Sequence, residues 1–224
     1  MNSHSVPKHD FPMRFSRHGR TVVLRLLTAE DREQIISFAA ALPDEDLLFL
    51  ERDITEPVEV DAWIKETLEG RLVTLVACED GAVVGYATFS RGNVRWTAHV
   101  AELRVVVAQS ARGMGIGRLL LELAFEMVLD MSVTKVIARM TPEQTGALKL
   151  FQRLGFAEEA VLRDHALDAN GLTHDLLVLS FHTRTHSEQC CEFCGTPVLE
   201  ALVLEGSRLC SSCYESQYSE LGSG

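Results

Sequence analysis

Apolar residues alternate in short runs along the chain and recur at helical spacing in longer ones, a mixture typical of an α/β fold. The Asp80-Gly81 pair between two apolar runs predicts a tight antiparallel hairpin. The predicted strands are residues 21–27, 72–78, 83–89, 100–107, 135–140, 160–167 and 174–181. The predicted helices are one capped by Thr28, then residues 57–68, 119–128 and 146–154. This order predicts a mixed sheet flanked by helices.

A change in the apolar pattern near the C-terminal end divides the chain. Residues 184–189 are polar, have almost nothing to bury, and predict a linker. We therefore expect an α/β domain at residues 12–183 and a small second module at residues 190–214. The polar ends, residues 1–11 and 215–224, are expected to be flexible.

Composition narrows the class of protein. The chain has 224 residues, 46% hydrophobic and 24% charged, which argues against general disorder, collagen and coiled coils. It lacks a long apolar stretch and an apolar leader core, so we expect a cytoplasmic location and no membrane partner. A net charge of −11 argues against nucleic acid as a partner and agrees with a basic substrate, although it describes the whole molecule.

The best-defined local feature is a glycine-rich turn between the strand at residues 100–107 and the helix that follows. Unpaired N–H groups and the positive end of the helix dipole converge there, and glycines allow close approach, so the turn predicts an anion site. Its G-x-G-x-G spacing differs from the dinucleotide fingerprint and lacks the Gly-Lys-Ser/Thr of a nucleoside-triphosphate loop. The alternative is that these glycines serve only the tight packing of the turn. The turn reads Arg112-Gly113-Met114-Gly115-Ile116-Gly117-Arg118.

This turn resembles the Arg/Gln-x-x-Gly-x-Gly/Ala signature of the GNAT superfamily of N-acetyltransferases. A second stretch, residues 144–156, is similar to that family's Asn-x-x-Ala motif leading into a helix that ends Leu-Gly-Phe. The resemblance covers roughly residues 12–183 and is closest to bacterial protein-lysine acetyltransferases. It implies a GNAT-like, mostly antiparallel sheet that splays open, with acetyl-CoA as co-substrate and an amine as acceptor.

The resemblance also implies the residues that hold the cofactor. The strand backbone would pair with the pantetheine arm, and the amides of the turn would hold the pyrophosphate. In the second motif Gln144 keeps an amide, whereas Phe151 stands where many members have a proton-donating Tyr. The implied cofactor contacts are Val105, Val106, Val107, Arg112, Gly113, Met114, Gly115, Ile116, Gly117, Arg118, Gln144 and Phe151.

Acetyl transfer to an amine needs a group that accepts a proton, and Glu102 is our candidate for that base. It lies on the strand expected to face the thioester and would act in a direct transfer. A surface glutamate is the alternative, because a shift of one residue changes the face of a strand. The departure at Phe151 keeps a second class of function open, a non-catalytic acyl-CoA-binding module that acts through the C-terminal module.

Two histidines flank a predicted turn at residues 168–171. A simple four-residue hairpin would place His165 and His174 opposite each other on one face. They could bind substrate, relay protons or hold a metal, but no third ligand is evident, so we favour a structural role.

The C-terminal module carries two C-x-x-C pairs whose spacing is typical of a four-cysteine zinc ribbon. Four cysteines leave no open position on the metal, so the predicted zinc is structural and supplies the folding energy of a small module. A redox switch is the competing hypothesis, and Cys190 is a spare thiol or an alternative ligand. We expect the module to dock a protein, with a small amine or a protein lysine as acceptor and a homodimer as the default assembly. The predicted zinc ligands are Cys191, Cys194, Cys210 and Cys213.

Overall fold

A computed structural model describes most of the chain: residues 10–47, 50, 52–131, 133–168, 170–183, 202–204, 207–209 and 214. The chain divides into two compact units, Met1–Phe181 and His182–Gly224. Within the described residues, no helix is both long and apolar enough to cross a membrane.

The first unit contains one eight-stranded sheet with strand order β1-β2-β3-β4-β5-β6-β8-β7. Neighbours from β1 to β5 pair antiparallel, as do β7 and β8, whereas β5 and β6 are parallel. The strands are β1 Met13–Arg17, β2 Arg20–Leu26, β3 Leu72–Glu79, β4 Ala82–Arg91, β5 Val100–Val107, β6 Lys135–Met140, β7 Ala157–Leu167 and β8 Thr173–His182. The helices are α1 Arg32–Ala40, α2 Asp44–Leu47, α3 Pro57–Leu68, α4 Ile116–Leu129 and α5 Thr145–Arg153.

Alternating side chains of the central strands bury two separate hydrophobic layers. On one face Ala101 and Leu103 of β5 lie in the same cluster as the apolar side of α4. On the other face Val76 and Tyr86 lie in a second cluster with α1 and α3, which includes Trp63. The sheet is therefore covered by helices on both faces. Glu102, which lies between Ala101 and Leu103, points away from α4.

The parallel pair β5 and β6 separates after a short contact. Register pairs join residues 100–102 of β5 to residues 135–137 of β6, and the last pair is Glu102 with Ile137. Beyond that point, in the described part of the chain, residues 103–107 of β5 pair with β4 alone, on the other edge. The sheet therefore opens between β5 and β6, directly after Glu102.

The predicted elements of the α/β domain are present within a few residues of their predicted bounds, and the fold is the expected mixed sheet flanked by helices. The hairpin at Asp80 and Gly81 has both residues at positive φ, +49° and +84°, as a two-residue turn requires. Strand β1 and helix α2 were missed. Both are short, five and four residues, and so give little periodicity to detect.

In the second unit the structure describes a short antiparallel hairpin. Strands β9, Leu202–Leu204, and β10, Ser207–Leu209, pair with Leu202 opposite Leu209. The predicted zinc ligands Cys191, Cys194, Cys210 and Cys213 all lie outside the described residues, as does Cys190. The boundary and zinc hypotheses therefore stay predictions.

Candidate active site

The glycine turn joins β5 to α4 and presents a row of main-chain donors. Gly113 and Gly115 have φ of +78° and +86°, the left-handed region that favours glycine. Gly115 is the N-cap of α4, and the side chains of Met114 and Ile116 are buried in the core. In the part of the chain that the structure describes, no backbone oxygen accepts from the N–H groups of residues 113–118. These donors and the helix dipole form a cradle for an anion.

The two arginines that the sequence placed at this turn both have acidic partners. Arg112 forms an ion pair with Asp46 of α2, and its Nε donates to the carbonyl of Val107 at 3.2 Å. Arg118 is largely exposed and lies 3.4 Å from Glu122, one turn along α4. Their charges are shared with these carboxylates, so the main-chain N–H groups carry more of the anion-binding role than the sequence alone indicates.

A third arginine reaches the turn from β1, the strand at one edge of the sheet. Arg17, at the end of β1, donates from Nη1 to the carbonyl of Met114 at 3.3 Å. A Cβ added at Gly115 would lie 3.0 Å from the same Nη1. Sequence reasoning missed Arg17, because it precedes Met114 by 97 residues and belongs to no motif.

The open edge of β5 lies between this cradle and Glu102. Residues 105–107 are half-buried, and among the described residues no strand pairs with their edge toward β6. Gln144 is the N-cap of α5, and its Oε1 accepts the N–H of Thr141 at 3.0 Å, so its amide oxygen is engaged locally. Phe151 is buried and packs on Phe156 with ring centroids 5.1 Å apart. The open edge and the cradle fit an extended acyl-CoA, whereas the ring of Phe151 belongs to the core.

A cleft of about 520 Å³ lies on the face of the sheet opposite α4. The register of β4 with β5 places Tyr86, Thr88 and Ser90 opposite Val106, Arg104 and Glu102 on this face. Helix α3 and the segment before it close one side, through residues such as Trp63 and Ile54. The volume is in the range of small-molecule sites.

Glu102 lies in this cleft beside two guanidinium groups. Its carboxylate forms an ion pair with Arg104 of its own strand, and Arg139 of β6 approaches Oε2 at 3.4 Å. The side chain of Glu102 is only 18% exposed. The register pair of Glu102 with Ile137 is the last before the strands separate, so the carboxylate stands at the split. The side chain of Glu102 faces the cleft and not the core under α4, because Ala101 and Leu103 occupy the core face of β5.

The cleft also holds a tyrosine that the sequence reasoning did not single out. Burial raises the pKa of Tyr86 well above its ordinary value, and the nearby Arg104 and Arg52 oppose that shift. Tyr86 therefore keeps its proton at neutral pH and is a weaker acid than an exposed tyrosine. The alternation along β4 was an available signal, since it places Tyr86, Thr88 and Ser90 on one face.

The histidines of the β7–β8 hairpin do not face each other, so that expectation was wrong. His174 pairs with Ala166, and its Nε2 lies 3.3 Å from Asp168 Oδ2. The register shifts between Leu162 and Ala166, where Asp164 has φ of +50°. His174 lies opposite Ala166 because Leu167 pairs with Thr173 and not with Leu172, one residue out of the simple hairpin register, and His165 is exposed. Among the described residues, no group of three histidine, cysteine or acidic side chains could hold a metal.

Comparison with known proteins places this site in a family. The model of the "Acetyltransferase (GNAT) family" matches residues 40–156, more than half of the 224 residues and including both the split strands and the glycine turn. The chain belongs to this family. It is therefore an acyl-CoA-dependent N-acetyltransferase, with acetyl-CoA as co-substrate.

Individual relatives agree on the fold and differ in the acceptor that they name. The chain is 23% identical over 159 residues to the "Putative phosphinothricin acetyltransferase YwnH" of Bacillus subtilis, covering 70% of this chain and 97% of that protein. A structure of yncA from Salmonella typhimurium with its cofactor acetyl-CoA superposes with a TM-score of 0.63 at 21% identity, covering 72% and 93% of the two chains. A ribosomal-protein-alanine N-acetyltransferase from Brucella melitensis gives 0.61 at 28% identity, covering 71% and 98%.

Proposed function

We propose that the chain acetylates the primary amine of a small molecule by direct transfer from acetyl-CoA, with Glu102 as general base. The observation that carries this proposal is the cleft of about 520 Å³ that contains Glu102 beside the split of β5 and β6. A cleft of that size is in the range of small-molecule sites. The relative named as a phosphinothricin acetyltransferase also supports a small acceptor.

In this proposal the chain's own groups bind, orient and move a proton. Main-chain donors of the turn at residues 113–118 and the open edge of β5 position acetyl-CoA, which supplies the activated acyl group when bound. Glu102 takes a proton from the acceptor's ammonium. The resulting amine forms the new N–C bond as the C–S bond breaks, and the proton that the nitrogen loses on becoming an amide passes to the departing CoA thiolate, so CoA leaves as the thiol.

Release of free CoA from acetyl-CoA tests the proposal, measured with a panel of small amines, polyamines and lysine-containing peptides. We expect turnover with small amines and little with peptides. Turnover restricted to peptides would support a protein-lysine acceptor instead. Binding of acetyl-CoA without turnover of any amine would favour the non-catalytic acyl-CoA-binding module.

For the C-terminal module we propose one structural zinc per chain, held by Cys191, Cys194, Cys210 and Cys213. The support is the spacing of the two C-x-x-C pairs. Elemental analysis of the purified protein is expected to find one zinc per chain, lost in Cys191→Ser and kept in the matched variant Cys190→Ser. Zinc that survives Cys191→Ser but not Cys190→Ser would mean that the ligand set is misassigned. No zinc at all would favour a redox role.

A further inference from the structure

The N-terminal hairpin of β1 and β2 lies outside the range that the family model matches. That match begins at residue 40, whereas β1 ends at Arg17 and β2 begins at Arg20. The two residues between them, His18 and Gly19, have φ of +51° and +76°, as a two-residue hairpin turn requires. Any contact that this hairpin makes with the cofactor site is therefore an addition to the motifs of the family.

Both arginines that close the hairpin contact the segment that forms the glycine turn. Arg17 and Arg20 are register partners, so their side chains project from the same face of the sheet. Arg20 Nη1 donates to the carbonyl of Ser110 at 3.1 Å, and Arg17 Nη1 donates to the carbonyl of Met114 at 3.3 Å. Arg20 Nε also donates to Glu79 of β3 at 2.6 Å. The hairpin is thus bound to the turn at two points.

The alternation of β1 directs Arg17 to the face of the sheet that carries α4. Met13 and Phe15 pack on the core under α4, and every second residue of a strand shares a face, so Arg17 projects to the same side. Arg14 belongs to the other face. A Cβ added at Gly115, the N-cap of α4, would lie 3.0 Å from Arg17 Nη1. The guanidinium of Arg17 is therefore held beside the anion cradle.

Arg17 has the capacity to bind an anion in that position. Its contact with Met114 uses one of the five N–H donors of a guanidinium, and its side chain is exposed. The planar fork of a guanidinium matches the oxygens of a phosphate. A phosphate on Arg17 would lie next to the main-chain donors of residues 113–118, so a ligand that carries several phosphates could engage both.

The strand order indicates which phosphate of acetyl-CoA would meet Arg17. The acyl group would lie at the split of β5 and β6, the pantetheine arm along the open edge of β5, and the pyrophosphate in the cradle. In the strand order β1 and β6 lie on opposite sides of β5, so Arg17 approaches the cradle from the side away from the split. Beyond the pyrophosphate, counted from the acyl group, acetyl-CoA continues into a ribose that carries a 3′-phosphate.

We propose that Arg17 binds the 3′-phosphate of acetyl-CoA, so that the N-terminal hairpin makes this chain selective for CoA over dephospho-CoA. This inference goes beyond the proposed function, because it concerns the cofactor alone and does not depend on Glu102 or on the acceptor. Arg17 is thus a specificity-determining residue of the cofactor side.

The test compares two cofactors that differ only in the 3′-phosphate. Acetyl-CoA and acetyl-dephospho-CoA are titrated by calorimetry into wild-type protein and into Arg17→Gln at low ionic strength, where an exposed charge contact is least screened. We expect Arg17→Gln to bind acetyl-CoA about two- to fivefold more weakly and acetyl-dephospho-CoA within about 1.5-fold of wild type. The preference for acetyl-CoA should therefore shrink by about two- to fivefold.

Two further variants separate the charge of Arg17 from its shape and from the net charge of the chain. Arg17→Lys keeps a cation at this position and is expected to keep most of the preference for acetyl-CoA. Arg14→Gln removes the same charge from the other face of β1 and is expected to show the wild-type preference.

Equal losses for the two cofactors in Arg17→Gln would overturn the inference, because Arg17 would then act on the turn or on the pyrophosphate. Unchanged affinity for both cofactors would overturn it as well, and so would an equal change of preference in Arg14→Gln. No acceptor is present in these titrations, so none of these results bears on the proposed acetylation, which is tested by turnover.

Discussion

The cofactor side and the acceptor side of this site are built from different parts of the polypeptide. The cofactor side consists mainly of main-chain groups, the N–H donors of residues 113–118 and the open edge of β5 at residues 103–107. The acceptor side consists of side chains, among them Glu102, Arg139 and Tyr86. Because every residue has the same main chain, the first side depends on backbone geometry, whereas the second depends on the identity of individual residues.

The two sides also differ in how their charges are compensated. At the turn, Arg112 and Arg118 each have an acidic partner, Asp46 and Glu122. In the cleft, arginines outnumber glutamates. Single substitutions in the cleft are therefore expected to change acceptor selectivity and to leave acetyl-CoA binding intact. Substitutions at the turn are expected to weaken acetyl-CoA binding and to leave acceptor selectivity intact. Three substitutions test this separation.

Removing the proposed base is expected to have the largest effect. Glu102→Gln keeps the shape of the side chain but cannot accept a proton, so kcat should fall by about 10²–10⁴-fold with acetyl-CoA affinity nearly unchanged. Steady-state kinetics and calorimetry measure the two quantities. Glu33→Gln, an exposed site on α1, is the matched control and should keep full activity. A kcat within about threefold of wild type for Glu102→Gln would eliminate the base assignment.

Closing the anion cradle is expected to have the next largest effect. Gly115→Glu places a carboxylate and a strained φ at the N-cap of α4, so acetyl-CoA should bind about tenfold to a hundredfold more weakly. Gly171→Glu is matched in charge and in positive φ, +80°, but lies in the β7–β8 turn and should bind normally. Calorimetric titration with acetyl-CoA measures the affinity of both variants. Equal losses in both variants would point to a general effect of strain.

The smallest expected effect concerns the arginine that reaches the turn from β1. Arg17→Gln should weaken acetyl-CoA binding by about two- to fivefold, and the difference should shrink at high salt, because the group is exposed. Arg14→Gln, on the same strand and also exposed, is the control and should bind as wild type does. If both variants bound with wild-type affinity, Arg17 would contact only Met114 and not the ligand.

Much of the fold and of the cofactor side could be predicted because the signals are local. Periodicity over a few residues gave the strands and helices, and the glycines of the turn predicted positive φ that the structure places at Gly113 and Gly115. The short strand β1 was missed, and with it Arg17. The expected pairing of His165 with His174 was wrong, because the hairpin closes with Leu167 opposite Thr173, one residue out of the simple four-residue register, and nothing in the local pattern predicts that offset.

The sequence by itself determined the elements, the glycine cradle and the resemblance to the N-acetyltransferase family that the comparisons confirmed. Only the tertiary structure decided the facing of Glu102, the position of Tyr86 in the same cleft and the two guanidinium groups around Glu102. The physical reason is the distance over which each interaction acts. Helix and turn formation depend on neighbours along the chain, whereas the cleft joins residues from Leu50 to Arg139 through strand order, and a charge acts over distances in space. The net charge of the whole chain could therefore not reveal the excess of arginines over glutamates in the cleft.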